Sequence, residues 1–471
     1  MTRLTSILAA LLLGLLPAHA APRPNVLFIT VDDMNRDSIG AYGCPLPGIT
    51  PHIDKLAADG MRFEHAHVTI AICMPTRAVW MTGRYPHRSG ALGFDPINKE
   101  VPTLLESLHE AGYHTGIMAK VPHVVATRKK AWDSIVDASK LGVGRDPEKY
   151  YKHAREFLTE AAKAKKPFFL MANAQDPHRP FAESKQEVGR NKKGTYPGVR
   201  RTFTPEEVPL PGFLPDLPDI RKELAEYFAS VHRADEVTGA VLRALDESGL
   251  AENTLVVFTS DHGMPLPFAK TNCWRHSTLT PWIVRWPGKV KPKSVDEKHV
   301  ISGIDFTPTV LEATGLKPLP GVDGRSYLPL LVGLPQKGWD MAFTSINRTA
   351  GKREYPMRCV ITKNESYIFN AWSDGKTVFK NESQSGLTMK AMSKAAEDDK
   401  NIAARVKHFL YRTPEELYHY EDDPDALENL AKNPAHEVEL KKMRAILLKQ
   451  MKETKDPVLP ALQEFLQGPT D

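Results

Sequence analysis

The chain has 471 residues, 41% hydrophobic and 25% charged, with a formal net charge of +5. That is long enough for two or three domains, or one large and one small, around a sizeable core. The mild positive excess comes without a basic run interleaved with aromatics, which argues against nucleic-acid binding, and four Cys in this length do not make a disulfide scaffold.

In chain order, Arg3 precedes a short Leu/Ala-rich stretch from Leu8 to Leu16, and Ala18-His19-Ala20 fits a small-x-small cleavage site. This predicts an export signal over residues 1–20 and a mature start near Ala21. The stretch is too short to span a bilayer, and no other segment is apolar enough to do so. No Cys follows the signal, as a bacterial lipid anchor would need. The expected location is periplasmic or secreted in a bacterium, lysosomal or secreted in a eukaryote.

Beyond the signal, apolar runs at residues 26–31, 115–119, 168–172 and 255–259 alternate with helical patterns at 53–59, 101–111, 154–164, 224–248 and 308–314. Runs apolar on both faces and separated by helices predict a mostly parallel sheet covered on both sides. The Pro-, Gly- and Lys-rich stretch 182–219 reads either as a solvated excursion or as a wall of a substrate pocket. After Gly338 the pattern changes to short strands at 359–362 and 367–370 and then to charged helices. The expected organisation is a catalytic domain over 21–338 and a smaller domain over 339–471.

Four of the apolar runs end in polar residues: Asp32-Asp33, Lys120, Asp176 with His178, and Asp261-His262. Ligands of open parallel sheets bind at the carboxyl ends of the strands. Several Asp supply hard oxygen donors that suit calcium or magnesium. The alternative is that Asp32 and Asp261 simply cap a turn or helix.

Cys73-Met74-Pro75-Thr76-Arg77 is weak as a bare pattern, but its surroundings are specific. Thr50-Pro51-His52-Ile53-Asp54, Met81-Thr82-Gly83-Arg84, Gly112-Tyr113-His114-Thr115-Gly116 and Asp305-Phe306-Thr307-Pro308-Thr309 accompany it in a fixed order. So do Glu415-Glu416-Leu417-Tyr418 and Glu428-Asn429-Leu430 near the C-terminus. In these segments the chain resembles the formylglycine-dependent type I sulfatases over nearly its whole mature length. The resemblance implies an alkaline-phosphatase-like α/β fold, with a smaller C-terminal domain containing an antiparallel sheet. It implies oxidation of Cys73 to formylglycine by a separate maturation enzyme. One hydroxyl of the aldehyde hydrate attacks sulfur, and the other then expels sulfate.

By the same resemblance Asp32, Asp33, Asp261 and His262 would hold calcium, with an oxygen of residue 73 joining the shell. Arg77 would hold the hydrate, and Lys120 and Lys270 would clamp sulfate oxygens. His178 would hydrogen-bond the substrate near the scissile bond and could protonate the leaving group, and His123 would orient the hydrate or act as its base. This chain differs from the common pattern in Thr76 for Ser, His262 for Asn, and one extra residue in Lys120-Val121-Pro122-His123.

Asp176-Pro177-His178-Arg179 and Tyr355-Pro356-Met357-Arg358 resemble the heparan N-sulfatase (sulfamidase) group. With Asp176, Arg179 and Arg358 expected at the substrate, a sulfated sugar with an N-sulfated glucosamine is the first substrate class to test. Pro180-Phe181 also resembles iduronate 2-O-sulfatases. Two other functions fit the same motifs: a phosphodiesterase or phosphonate hydrolase, and a non-catalytic sulfated-glycan binder. Among the aromatics, Trp274 and Trp282 are expected in the core rather than as sugar platforms.

Overall fold

A computed structural model describes residues 23–125, 128–191 and 193–468. The expected export signal lies outside the described residues. Among them, eight strands form one sheet: β1 (Asn25–Asp32), β2 (Met61–His67), β3 (His114–Met118), β4 (Ser134–Val136), β5 (Phe168–Pro177), β6 (Thr254–Ser260), β7 (Trp282–Arg285) and β8 (Ser294–Ser302). Their order is β4-β3-β5-β1-β6-β7-β2-β8. Every neighbouring pair is parallel except the two that involve β7, which runs antiparallel to β6 and β2.

β1 shows why the sheet has two covered faces. Leu27, Ile29 and Val31 point into one core with Tyr150, Phe157, Leu224 and Tyr227, from the helices Pro147–Ala164 and Pro218–Glu247. Val26 and Phe28 point into a second core with Trp80, Leu104, Leu108 and Phe306. Every residue of β1 is buried. Burying such side chains contributes about 1.5–3 kcal/mol each.

A second sheet holds β9 (Met341–Arg348), β10 (Glu354–Thr362), β11 (Glu365–Asn370) and β12 (Glu415–His419), antiparallel throughout in the order β12-β11-β10-β9. Val360, Tyr367 and Leu417 pack on Leu440, Met443 and Leu447 of the helix Glu437–Glu453. Met357, Cys359 and Ile368 on the opposite face join the first core of the large sheet. The small sheet is therefore packed onto the large one through shared apolar surface.

The expected strands are present, and β5 continues five residues further than its apolar run, to Pro177. The helix expected at 154–164 starts earlier, at Pro147, because the Asp146 side chain caps it and a Pro is well placed at the first helical position. Edge strand β8 alternates half-buried and exposed residues over most of its length. It lacks the continuous apolar run that marks the inner strands.

Candidate active site

The four strands that end in polar residues are neighbours, in the order β3-β5-β1-β6, and all four run parallel. Their carboxyl ends therefore meet along one edge. The chain turns sharply there: Asp33 (φ 69°), Ala119 (φ 54°) and Lys120 (φ 50°) all lie in the left-handed region. Non-glycine residues adopt that region at a cost of roughly 1–2 kcal/mol each. Gly263, directly after His262, is needed for another reason. A Cβ there would meet the His276 carbonyl oxygen at 1.9 Å.

Cys73 is the first residue of a fully buried helix, Cys73–Thr82, preceded by extended Ile72 and closed by left-handed Gly83. Pro75 is tolerated because first-turn N–H groups have no partner within the helix. Thr76 donates its hydroxyl to the Ile70 carbonyl, tying down the approach to Cys73. One turn on, Arg77 reaches under the strand ends. Its guanidinium donates to Thr30 Oγ1 (2.9 Å), Asn173 Oδ1 (2.6 Å) and Asp261 Oδ2 (3.0 Å), and lies 3.4 Å from Asp32 Oδ1.

Asp32, Asp33, Asp261 and His262 are completely buried around Cys73. Burial pushes the Asp32 carboxyl up, but Lys120, an Asp261 hydrogen bond and Arg77 outweigh it and hold the group well below the usual carboxylate range. Asp261 goes the other way, raised by burial and by the negative charge of Asp32. Burial, then the charges of Asp32 and Asp261, also raise the Cys73 thiol. Reactive cysteine nucleophiles sit in electropositive surroundings, the opposite of this one.

These residues fit a divalent cation. His262 Nδ1 faces the Gly263 carbonyl oxygen at 3.0 Å; since that oxygen can only accept, Nδ1 carries the hydrogen. Burial pushes the ring down to about 4, so it is neutral at pH 7. Its Nε2 lone pair therefore points at Asp33 Oδ1, 3.1 Å away, and at Cys73 Sγ, 3.4 Å away. Asp33 Oδ1 has no hydrogen-bond donor among the described residues. Two electron-pair donors that close repel unless a cation lies near both. The ligand atoms of Asp32, Asp33, Cys73 and His178 lie within 4.8 Å of one another, as do those of Cys73, Asp261 and His262.

Over this cluster opens a cavity of about 450 Å³ lined by Cys73, Lys120, His123, Gln175, His178, Lys270 and Glu382, among others. Lys120 pairs with Asp32. Lys270 Nζ lies 2.7 Å from Asp33 Oδ2 and 2.8 Å from Glu382 Oε2. Burial alone would lower the Lys270 ammonium, but these carboxylates hold it well above its ordinary range. His178 Nδ1 faces its neighbour's carbonyl at Arg179 (2.6 Å), which leaves Nε2 toward the cavity, 3.5 Å from Glu382. Burial and Lys120 push His123 down to about 3.

Three expected substrate residues lie elsewhere. Asp176 is completely buried and held by Arg145 (2.9 Å) and Arg233, so its carboxylate braces β5 rather than meeting a ligand. Arg179 turns away and pairs with Glu223 at 2.7 Å, lining a neighbouring cavity with Lys222 and Lys390. Arg358 lies in the small sheet, paired through two nitrogens with Asp456 (2.6 and 2.9 Å) and only 2% exposed. In each case a buried Arg or Asp finds its counter-charge within the protein. Trp274 and Trp282 are core residues, as expected.

Glu382 and Gln175 line the cavity and were not singled out from the sequence. Glu382 sits within Asn381-Glu382-Ser383, a sequence that matches a glycosylation sequon, and nothing local marks the acid as part of the site.

A sequence profile described as sulfatase matches residues 24–316. The chain is 31% identical to human N-sulphoglucosamine sulphohydrolase, covering 95% of this chain and 93% of that one. It is 27% identical to an ulvan-active sulfatase of Formosa agariphila, over 90% of this chain and 74% of that protein. A protein solved with its substrate D-glucosamine-2-N,6-O-disulfate superposes with a TM-score of 0.69 at 18% identity, over 92% of this chain and 99% of that one. That last likeness speaks to the fold.

Proposed function

The chain belongs to the sulfatase family, and from that premise we propose that it releases sulfate from a sulfated sugar, with an N-sulfated glucosamine unit as the leading substrate. The observation that carries this is the convergence of Asp32, Asp33, Asp261 and His262 on Cys73, beneath a cavity walled by Lys120, His178 and Lys270. Similarity to a human N-sulphoglucosamine sulphohydrolase and an ulvan-active sulfatase supports a carbohydrate substrate.

Asp32, Asp33, Asp261 and His262 are the residues that would hold calcium, which would lower the pKa of an attacking hydroxyl and offset charge on sulfate. Cys73 is the residue to be converted to formylglycine, whose hydrate supplies one hydroxyl for attack and a second for release.

The remaining steps belong to this chain's own side chains. Arg77 fixes the Asp32 and Asp261 carboxylates and partly neutralises them. Lys120 and Lys270, preorganised on Asp32 and Asp33, offer N–H donors to sulfate oxygens at a site they already occupy. His178, its Nδ1 fixed on the Arg179 carbonyl, presents Nε2 to give a proton to the leaving atom. His123 is held neutral by its surroundings, which suits an orienting role better than that of an acid. Among the described residues no helix is long and apolar enough to cross a membrane. The signal pattern over residues 1–20 supports an exported location, and Cys73 a separate maturation enzyme.

The test is desulfation by protein purified from its native host. Mass spectrometry of the peptide around residue 73 should find an aldehyde in place of the thiol. Sulfate should be released from N-sulfoglucosamine and from defined heparan oligosaccharides faster than an aryl phosphodiester is cleaved. Faster phosphodiester turnover overturns the reading. An intact thiol in a protein that binds sulfated glycans without cleaving them overturns it in favour of a binding role.

A further inference from the structure

Glu382 lies between β11 and β12, far along the chain from the four strand ends, yet its carboxylate lines the same cavity as Cys73. Its backbone is well fixed. Asn381 caps the short turn Glu382–Ser385, and Asn381 Nδ2 donates to the Lys270 carbonyl at 3.1 Å. Oε2 sits 2.8 Å from Lys270 Nζ and Oε1 3.5 Å from His178 Nε2. The side chain remains 37% exposed, so it can meet a ligand.

A carboxylate is an odd neighbour for a bound sulfate. Two like charges about 5 Å apart repel by roughly 3 kcal/mol even at an effective dielectric near 20. Lys270 does not require it as a counter-charge, because Asp33 already lies 2.7 Å from the ammonium. What a carboxylate does favour is a leaving group that ends as a cation. Sulfamate hydrolysis makes one: the S–N bond breaks, an S–O bond to water's oxygen forms, and both water protons end on nitrogen. The products are a sulfate dianion and a sugar ammonium. A sulfate ester leaves a neutral hydroxyl instead.

We infer that Glu382 is a specificity-determining residue that binds the amino group of an N-sulfated sugar as it becomes an ammonium, from the side of the cavity where His178 delivers its proton. This rests on the sulfatase reading and narrows it to nitrogen-linked sulfate.

Full-length matured protein and its Glu382→Gln and Glu382→Asp variants provide the test. In Glu382→Gln, kcat/KM for N-sulfoglucosamine relative to an aryl sulfate should fall by about tenfold or more, the size of a lost charged hydrogen bond. Inhibition of aryl sulfate hydrolysis by glucosamine should weaken by a similar factor, while inhibition by N-acetylglucosamine, which lacks the ammonium, should shift far less. Glu382→Asp should recover part of both effects. An equal fall on both substrates would mean that Glu382 only holds Lys270 and His178, and overturns the inference; so does an unchanged ratio. Calorimetric binding of glucosamine to Cys73→Ala protein, with and without Glu382→Gln, separates this from the wider reading. Glutamate-dependent binding without any sulfate release would sink the sulfatase reading and leave the amine site standing. N-sulfate release indifferent to Glu382 would do the reverse.

Discussion

Two clusters of charge meet at the end of β5, and they behave differently. In the first, Asp176 and Glu187 face Arg145 and Arg233: two acids, two guanidiniums, with both Asp176 oxygens bonded. In the second, Asp32, Asp33, Asp261 and Glu382 face Arg77, Lys120 and Lys270, four acids against three fixed cations among the described residues. The first set closes on itself; the second leaves an acid raised by burial and by its neighbour, and an oxygen with no donor among the described residues. Residue type does not separate them, since both are Asp with Arg. Charge closure does: a closed cluster holds the fold together, and an open one has room for a ligand.

The largest expected effect breaks the open cluster at its centre. Cys73→Ala should lower kcat by more than about a thousandfold, because the proposed covalent step is lost, while the unfolding midpoint moves by only a few degrees. A comparable loss of stability would mean that Cys73 is merely packing. The matching test of a closed pair is Arg358→Met. Stranding the Asp456 carboxylate should cost about 3–5 kcal/mol in denaturant unfolding, with kcat/KM of the folded fraction within about twofold of the parent. A specific loss of turnover would return Arg358 to the substrate site.

Calcium sharpens the comparison next. At about a hundred times its Kd, calcium should stabilise the protein by about 2.7 kcal/mol. Asp261→Asn should erase most of that gain, and Asp176→Asn should leave it in whatever protein folds. Equal responses from both variants would erase the distinction between the clusters.

The smallest effect concerns pH. His123 is pushed down to about 3 by burial and Lys120, against about 6.5 in an unfolded chain. Between those values the unfolded state binds the extra proton. Stability from the neutral ring is thus fully present above about pH 6.5 and drains away as pH falls toward 3. His123→Gln should flatten that slope by roughly 2 kcal/mol between pH 6.5 and 4.5, and should leave the acidic limb of kcat/KM in place. A moved limb would make His123 the titrating group.

Much of this was legible because inner parallel strands are apolar on both faces. Residues 26–31 and 255–259 marked β1 and β6, and the acids at their ends stood out against the run. Edge strand β8 was hidden by its charged residues, and β9 gave no such run. Arg179 and Arg358 were misplaced for a related reason: a sequence shows that a cation is present, but not which acid lies opposite it. Glu223 and Asp456 are 44 and 98 residues away from those two arginines.

By itself, then, the order of residues determined the layered sheet, the acids and imidazoles at strand ends, and the cysteine segment, since each is a local pattern set by burial and backbone geometry. Which strands lie side by side, which charges close on one another, and the arrival of Glu382 beside Lys270 were decided only by tertiary packing. Those contacts join segments more than a hundred residues apart, such as Lys270 and Glu382, and no local preference encodes a distance of that kind.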